Sequence, residues 1–308
     1  MPYAGELAAL STALLWSFTA VCFSEAGKQI GSFQVNKIRL VFAVLIYTLV
    51  LTLTTGLPWP SGINAHQVFW LALSGVVGLV FGDGCGFKAL VMIGPRLMTL
   101  VSASAPVVAT LVAWFFLGEK LSMLEITGIA VTVGGITWVV SERKYANGNK
   151  VHQTHPDAGT LAMGVLLAFG AAVGQAVGLV LSKYGMLEAG GKVPPLQASY
   201  IRMVAALAVI WTISAIRGKL GDTMRSMKNG RALAFSGAGA VFGPFLGVWM
   251  SLVAVSMIST GVAATLNATT PVLIIPTVML YYREKVTIRA AMGALVAVIG
   301  IAMLFWGS

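Results

Sequence analysis

Polar side chains are scarce in the apolar stretches of this 308-residue sequence, and those few are where chemistry has to happen. Asp83 is the acid that lies well inside such a stretch. It is a proton- or cation-coupling carboxylate or an anchor for a substrate amine, or else it hydrogen-bonds a neighbouring helix or pairs with Lys88. Lys88 follows five residues later, about 500° around a helix, so the two do not share a face. It either snorkels to a membrane surface or binds a substrate carboxylate. Gln175, among Gly170, Gly174 and Gly178, and Asn267, just before Thr269, Thr270 and Pro271, either contact substrate or join helices. Trp16 and Trp249 either line a cavity and stack on a solute or face lipid. Arg39 and Arg202 occupy matching places near opposite faces, as interface anchors or gate ion pairs, and Glu25 is near enough to Arg39 to be its gate partner.

Other chemistry finds little to work with. His66, His152 and His155 all lie in polar connections, so none is placed as an intramembrane proton relay. Cys22 and Cys85 sit in apolar stretches without metal-ligand spacing, and core packing accounts for them. No GxSxG, HExxH or phosphate loop occurs. The expectation is therefore no enzyme, no cofactor and no metal. A channel is disfavoured because no filter loop is evident.

The elements that must hold these residues follow from composition. The chain is 57% hydrophobic and 10% charged, with mean hydropathy +0.88. A soluble domain carries about 25% charged residues. A membrane span needs about 20 mainly apolar residues, and the sequence predicts spans at 5–26, 36–55, 67–90, 97–117, 122–140, 158–182, 197–216, 232–256, 261–281 and 287–306. The polar link Ser141 to Asp157 divides them into two sets of five, giving units 1–150 and 151–308. No basic region precedes the first apolar stretch, so no cleavable signal peptide is expected. The net charge of +10 resides mostly in short loops, which points to membrane orientation rather than nucleic acid.

The halves resemble each other. Gln34, Ile38 and Arg39 match Gln197, Ile201 and Arg202 at an offset of 163. Gly78, Phe81, Gly82 and Gly86 match Gly239, Phe242, Gly243 and Gly247 at 161, which sets Asp83 opposite Pro244 and Lys88 opposite Trp249. Pro106, Glu119-Lys120, Gly128 and Gly135 match Pro271, Glu284-Lys285, Gly293 and Gly300 at 165. Five helices per copy force the second copy to enter the membrane upside down. The expected fold is thus all-α, an integral membrane protein of ten transmembrane helices in two inverted five-helix repeats, an arrangement recurrent in secondary transporters. Of the 20 Lys and Arg residues, 15 fall in or beside the links after the odd-numbered spans. This places both termini outside the cytoplasm.

The stretch Ala105-Pro106-Val107, then Leu117-Gly118-Glu119-Lys120-Leu121, Gly128 and Gly135, repeated around Pro271, Glu284-Lys285, Gly293 and Gly300, resembles the EamA-type branch of the drug/metabolite transporter superfamily. Phe81-Gly82-Asp83, Lys88-Ala89-Leu90 and Gly94 resemble the third helix of many members, whereas Tyr282-Arg283-Glu284 lacks the glycine that Gly118 supplies in the first copy. The resemblance implies ten helices, a central cavity and alternating access. The function expected is a secondary transporter of the cytoplasmic (inner) membrane. It exports a small organic solute, an amino acid or related metabolite, and is coupled through Asp83. The alternative is a translocase of a lipid or lipid-linked head group. Expected partners are the solute and membrane lipid, with no nucleic acid, for a monomer or homodimer.

Overall fold

The computed structural model describes residues 3–142, 158–187, 189, 191–270, 272–273 and 288–307. In chain order its helices are α1 (Ala4–Ile30), α2 (Ser32–Thr55), α3 (Ala65–Gly75), α4 (Asp83–Ser102), α5 (Ala105–Leu117), α6 (Met123–Glu142), α7 (Ala158–Leu187), α8 (Pro195–Ile216), α9 (Leu220–Ser226), α10 (Gly230–Ala240), α11 (Val248–Met257), α12 (Thr260–Asn267) and α13 (Ile288–Gly307). Wider π-helical turns join α3 to α4 (Val76–Gly82) and α10 to α11 (Val241–Gly247). Ala4–Ile30, Phe33–Thr55, Ala65–Ala89, Gly159–Leu187, Pro195–Ile216 and Gly230–Met257 are each long and apolar enough to cross a membrane. Shorter apolar helices include Ala105–Leu117, Met123–Trp138 and Met292–Trp306. Among the described residues every regular element is helical. The Glu284-Lys285 motif lies outside the described residues.

Boundaries differ from the sequence expectation in instructive ways. The link expected before residue 36 shrinks to Gly31, whose φ of 80° lets α1 end and α2 begin across one residue. The corner expected between residues 90 and 97 keeps helical backbone. The chain nevertheless reverses there, because the Met98 methyl lies 3.1 Å from where a Cβ on Gly86 would stand. Twelve residues of straight helix would put them about 18 Å apart. The span that returns is broken at Ala103–Ser104, just before Pro106.

Small residues decide which helices touch. Gly174 and Gly178 of α7 lie so close to the first π-segment that added Cβ atoms would fall 2.7 Å from Gly82 Cα and 2.9 Å from Gly78 Cα. In the other half, Gly243 and Gly247 are met by Thr19 and Trp16 of α1. α6 and α13 interlock through Gly135, whose Cβ would lie 2.4 Å from Ala297 N, and Gly300, whose Cβ would lie 2.3 Å from Thr132 Oγ1. Such close backbone approach is how membrane helices gain dispersion where lipid supplies no hydrophobic drive.

Local features recur 165 residues apart. Asn64 caps α3 through the Gln67 N–H, and Asn229 caps α10 through the Ala232 N–H. The π-segments begin at Val76 and Val241. The turns Ala103–Ser104 and Ala268–Thr269 break the spans that follow. This corrects the 161-residue offset expected for the glycine ladder. A ladder with glycine every fourth residue matches itself when slid by one turn, whereas caps and breaks do not. On the structural register Asp83 corresponds to Val248 and Lys88 to Val253, not to Pro244 and Trp249.

Candidate functional site

Asp83 is the first residue after the π-segment. The wider turn shifts the helical phase at that point, a feature frequent at functional sites. Its carboxylate gathers partners from two other helices. Arg39 of α2 donates from Nη2 to Oδ2, and the pair is nearly enclosed, with side-chain exposures of 3% and 16%. Gln175 of α7 donates from Nε2 to Oδ1 at 2.6 Å and lies 3.2 Å from the Gly78 carbonyl oxygen. The close approach of Gly174 to Gly82 brings Gln175 within reach. Arg39 is held in turn by Asn36, which accepts from its Nε at 2.8 Å. Phe23 and Phe87 flank the guanidinium, each 5.8 Å from ring centroid to Cζ.

Arg202 of α8 approaches from the other half. It is buried, its Nη2 lies 3.5 Å from the place of a Cβ on Gly78, and its Nε has no hydrogen-bond partner. The nearby Tyr47 hydroxyl points to backbone, donating to the Phe245 carbonyl at 2.8 Å. From sequence, Arg39 and Arg202 are expected near the faces, but both are buried. Arg39 is the eighth residue of α2 and Arg202 the eighth of α8, each about 11 Å into its helix. The result is two cations and one anion in a low-dielectric interior, where an unbalanced charge is costly and marks function by default.

Asp83 and Gln175 form the polar wall of a cavity of about 180 Å³ between α4, the α4–α5 break and α7. Its other walls include Phe87, Met98, Ser102 and Ala171. It runs from Asp83 toward the corner of α4. An amide and a carboxylate facing an apolar chamber suit a small solute with one cationic or donor group and an apolar remainder. Among the described residues no three His, Cys, Asp or Glu gather as a metal site would require.

The remaining expected residues lie elsewhere. Lys88 is exposed and outside the cavity wall. Glu25 pairs with Lys28, while Arg39 bonds Asp83 and Asn36. Trp16 packs on Gly247, and Trp249 lies 5.9 Å from the Phe245 ring, both in the core around Tyr47. Asn267 donates to Ser251 Oγ at 2.9 Å and leaves its Oδ1 buried without a partner. On the 165-residue register Ser251 and Asn267 stand where the first half has Gly86 and Ser102, two residues of the cavity wall. Sequence reasoning missed Asn36, Phe23 and Phe87 in the site. A polar residue one helical turn before Arg39 is a signal that could have found Asn36.

The comparisons agree with this architecture. The model of the EamA-like transporter family matches residues 3–141 and again 162–306. The chain belongs to the EamA-like transporter family. An uncharacterized transporter of Clostridium kluyveri is 29% identical over 139 residues, 45% of this chain and 44% of that protein's length. A crystal structure of a protein with 18% sequence identity superposes with a TM-score of 0.73 over 98% of this chain and 96% of its own. At that identity the likeness is one of fold. As an EamA-like protein, the chain is a multi-pass membrane transporter, and its family points away from an enzyme.

Proposed function

We propose that this EamA-like protein is a secondary carrier of ten transmembrane helices in two inverted five-helix repeats, 1–150 and 151–308. It exports an amino acid or related small metabolite across the cytoplasmic membrane by alternating access. The observation that carries the reading is the 180 Å³ cavity whose polar wall is Asp83 and Gln175. It is smaller than the ~300–1,000 Å³ of drug-sized pockets, which favours a small solute over a lipid. Asp83 offers a carboxylate to an ammonium, and the surplus charge of Arg39 and Arg202 favours a solute that also carries a carboxylate. The features recurring at 165 residues support the repeat, and an odd number of spans per copy supports its inversion. Asp83 is also the coupling group in this reading.

The test is a thermal-shift screen of detergent-purified protein against amino acids, organic acids, polyamines, nucleobases and lipid head groups. Stabilisation by amino acids or their relatives, lost in Asp83→Asn, is expected. Stabilisation by lipid head groups alone would transfer the assignment to a lipid translocase. Coupling is tested separately: normal transport by Asp83→Asn under an imposed pH gradient would rule it out.

A further inference from the structure

The cavity lies on one side of Asp83; on the other side the two halves are locked together. Glu119 follows Gly118, which ends α5 with φ of 65°. Its Oε2 accepts the Thr260 N–H at 2.7 Å, and its Oε1 accepts the Thr260 hydroxyl at 2.8 Å and the Lys183 ammonium at 2.8 Å. The ammonium also donates to the Ile258 carbonyl oxygen at 2.6 Å. Ile258 ends α11 and Thr260 begins α12. A carboxylate thus sits at one helix N-terminus and an ammonium at another's C-terminus, each favoured by the helix dipole. Ser259, the N-cap of α12, makes no side-chain cap and its hydroxyl is buried without a partner. The cap comes instead from Glu119, 141 residues away from Thr260. The ion pair is mostly enclosed, both side chains being 15% exposed.

Packing closes the same end. A Cβ on Gly261 would lie 2.2 Å from Thr110 Oγ1 of α5, and one on Gly5 would lie 2.6 Å from Ile258 Cγ2. Lys183 is eight residues beyond Gln175 on α7, about 12 Å along the helix, and Phe87, Met98 and Ala171 line the cavity in the opposite direction. We propose that Glu119 and Lys183 form the gate ion pair of the carrier. By clamping the α11–α12 junction to the end of α5 they hold the molecule shut on the side remote from the cavity, and the pair parts when access alternates. This rests on the carrier reading above.

The test reads access rather than cargo. Ser102→Cys is placed in a Cys22→Ala/Cys85→Ala background, and a membrane-impermeant maleimide is applied to right-side-out and inverted vesicles. Labelling is expected from the cavity side. In Glu119→Gln and in Lys183→Met, labelling from the Glu119 side is expected to rise about tenfold as the closed population falls. A Glu119→Cys/Lys183→Cys pair joined by a short reducible bis-thiosulfonate is expected to restore one-sided labelling at position 102, assigned by peptide mass. This arm serves if the single variants fold poorly. Labelling that stays one-sided in every uncross-linked variant overturns the gate, as does two-sided labelling that the cross-link leaves unchanged. Loss of solute flux without any change in access also overturns the gate but leaves the carrier standing. Alternating access without flux of any solute would instead remove the carrier reading.

Discussion

Asp83 gathers Arg39 and Gln175 at the proposed site, and replacing it separates a structural role from a transport role. In Asp83→Asn the guanidiniums of Arg39 and Arg202 remain buried without an anion. Removing one partner of a buried pair costs about 3–5 kcal/mol, so a clear drop in thermal stability and loss of transport are expected. Asp83→Asn/Arg39→Met removes one of the two stranded charges and is expected to recover part of the stability but none of the transport. Recovery of both would demote the pair to scaffold. Melting curves in detergent and flux in proteoliposomes decide between these outcomes. The candidates Asp83, Gln175 and Arg39 were legible because polar groups in apolar spans are conspicuous. Their assembly was not, since Arg39 and Gln175 lie 44 and 92 residues from Asp83. The five-residue spacing that excludes Lys88 from sharing a face with Asp83 says nothing of which helix supplies the true partner. Trp16 and Trp249 were equally conspicuous but pack in the core, because a large ring fills space wherever glycines leave it.

At the scale of elements, the glycine ladder positions the site. Gly174 and Gly178 let α7 meet the first π-segment backbone to backbone, and Gln175 between them reaches Asp83 only at that separation. Gly178→Ala places a methyl 2.9 Å from Gly78 Cα. Relief requires the helices to part, and overpacking of this kind costs about 1–3 kcal/mol. The expected outcome is reduced thermal stability together with a weaker ligand-induced shift, because Gln175 is drawn from Asp83. By contrast Gly134→Ala, where a Cβ meets nothing within 4 Å, is expected to change neither. Equal effects from both would show that glycine content, not this contact, matters. The sequence revealed that the ladders repeat but not their register, since a four-residue period is blind to a four-residue slide. Capping by Asn64 and Asn229 fixes it. The lock of Glu119 to Lys183 was likewise hidden: the Glu119 motif was recognised, and Lys183 stood near the end of a span, but a cross-chain cap leaves no local trace.

At the scale of the whole molecule, orientation decides what the conformation means. The positive residues Arg217, Lys219, Arg225, Lys228 and Arg231 lie in and beside α9 in one link, whereas Lys120, Lys183 and Lys192 belong to the opposite side together with Glu119. By the positive-inside tendency the proposed orientation puts the first group in the cytoplasm, and with it the corner of α4 toward which the cavity runs. On the proposed orientation the lock faces outward and the cavity lies toward the cytoplasmic side, the arrangement that the proposed export requires. A reporter that is active only outside the cytoplasm, fused after Ser308, is expected to be active, and the same reporter inserted after Gly221 is expected to be silent. Maleimide labelling of Ser102→Cys should then be fast from the cytoplasmic face, seen in inverted vesicles. If the reporters give the reverse pattern, the lock becomes the cytoplasmic gate. The same conformation would then be that of a carrier facing outward, with loading for import favoured instead. If the reporters hold but labelling comes from outside, the topology stands and the sidedness of the cavity fails. The two measurements together therefore fix the topology and the side to which the cavity opens, without knowledge of the cargo.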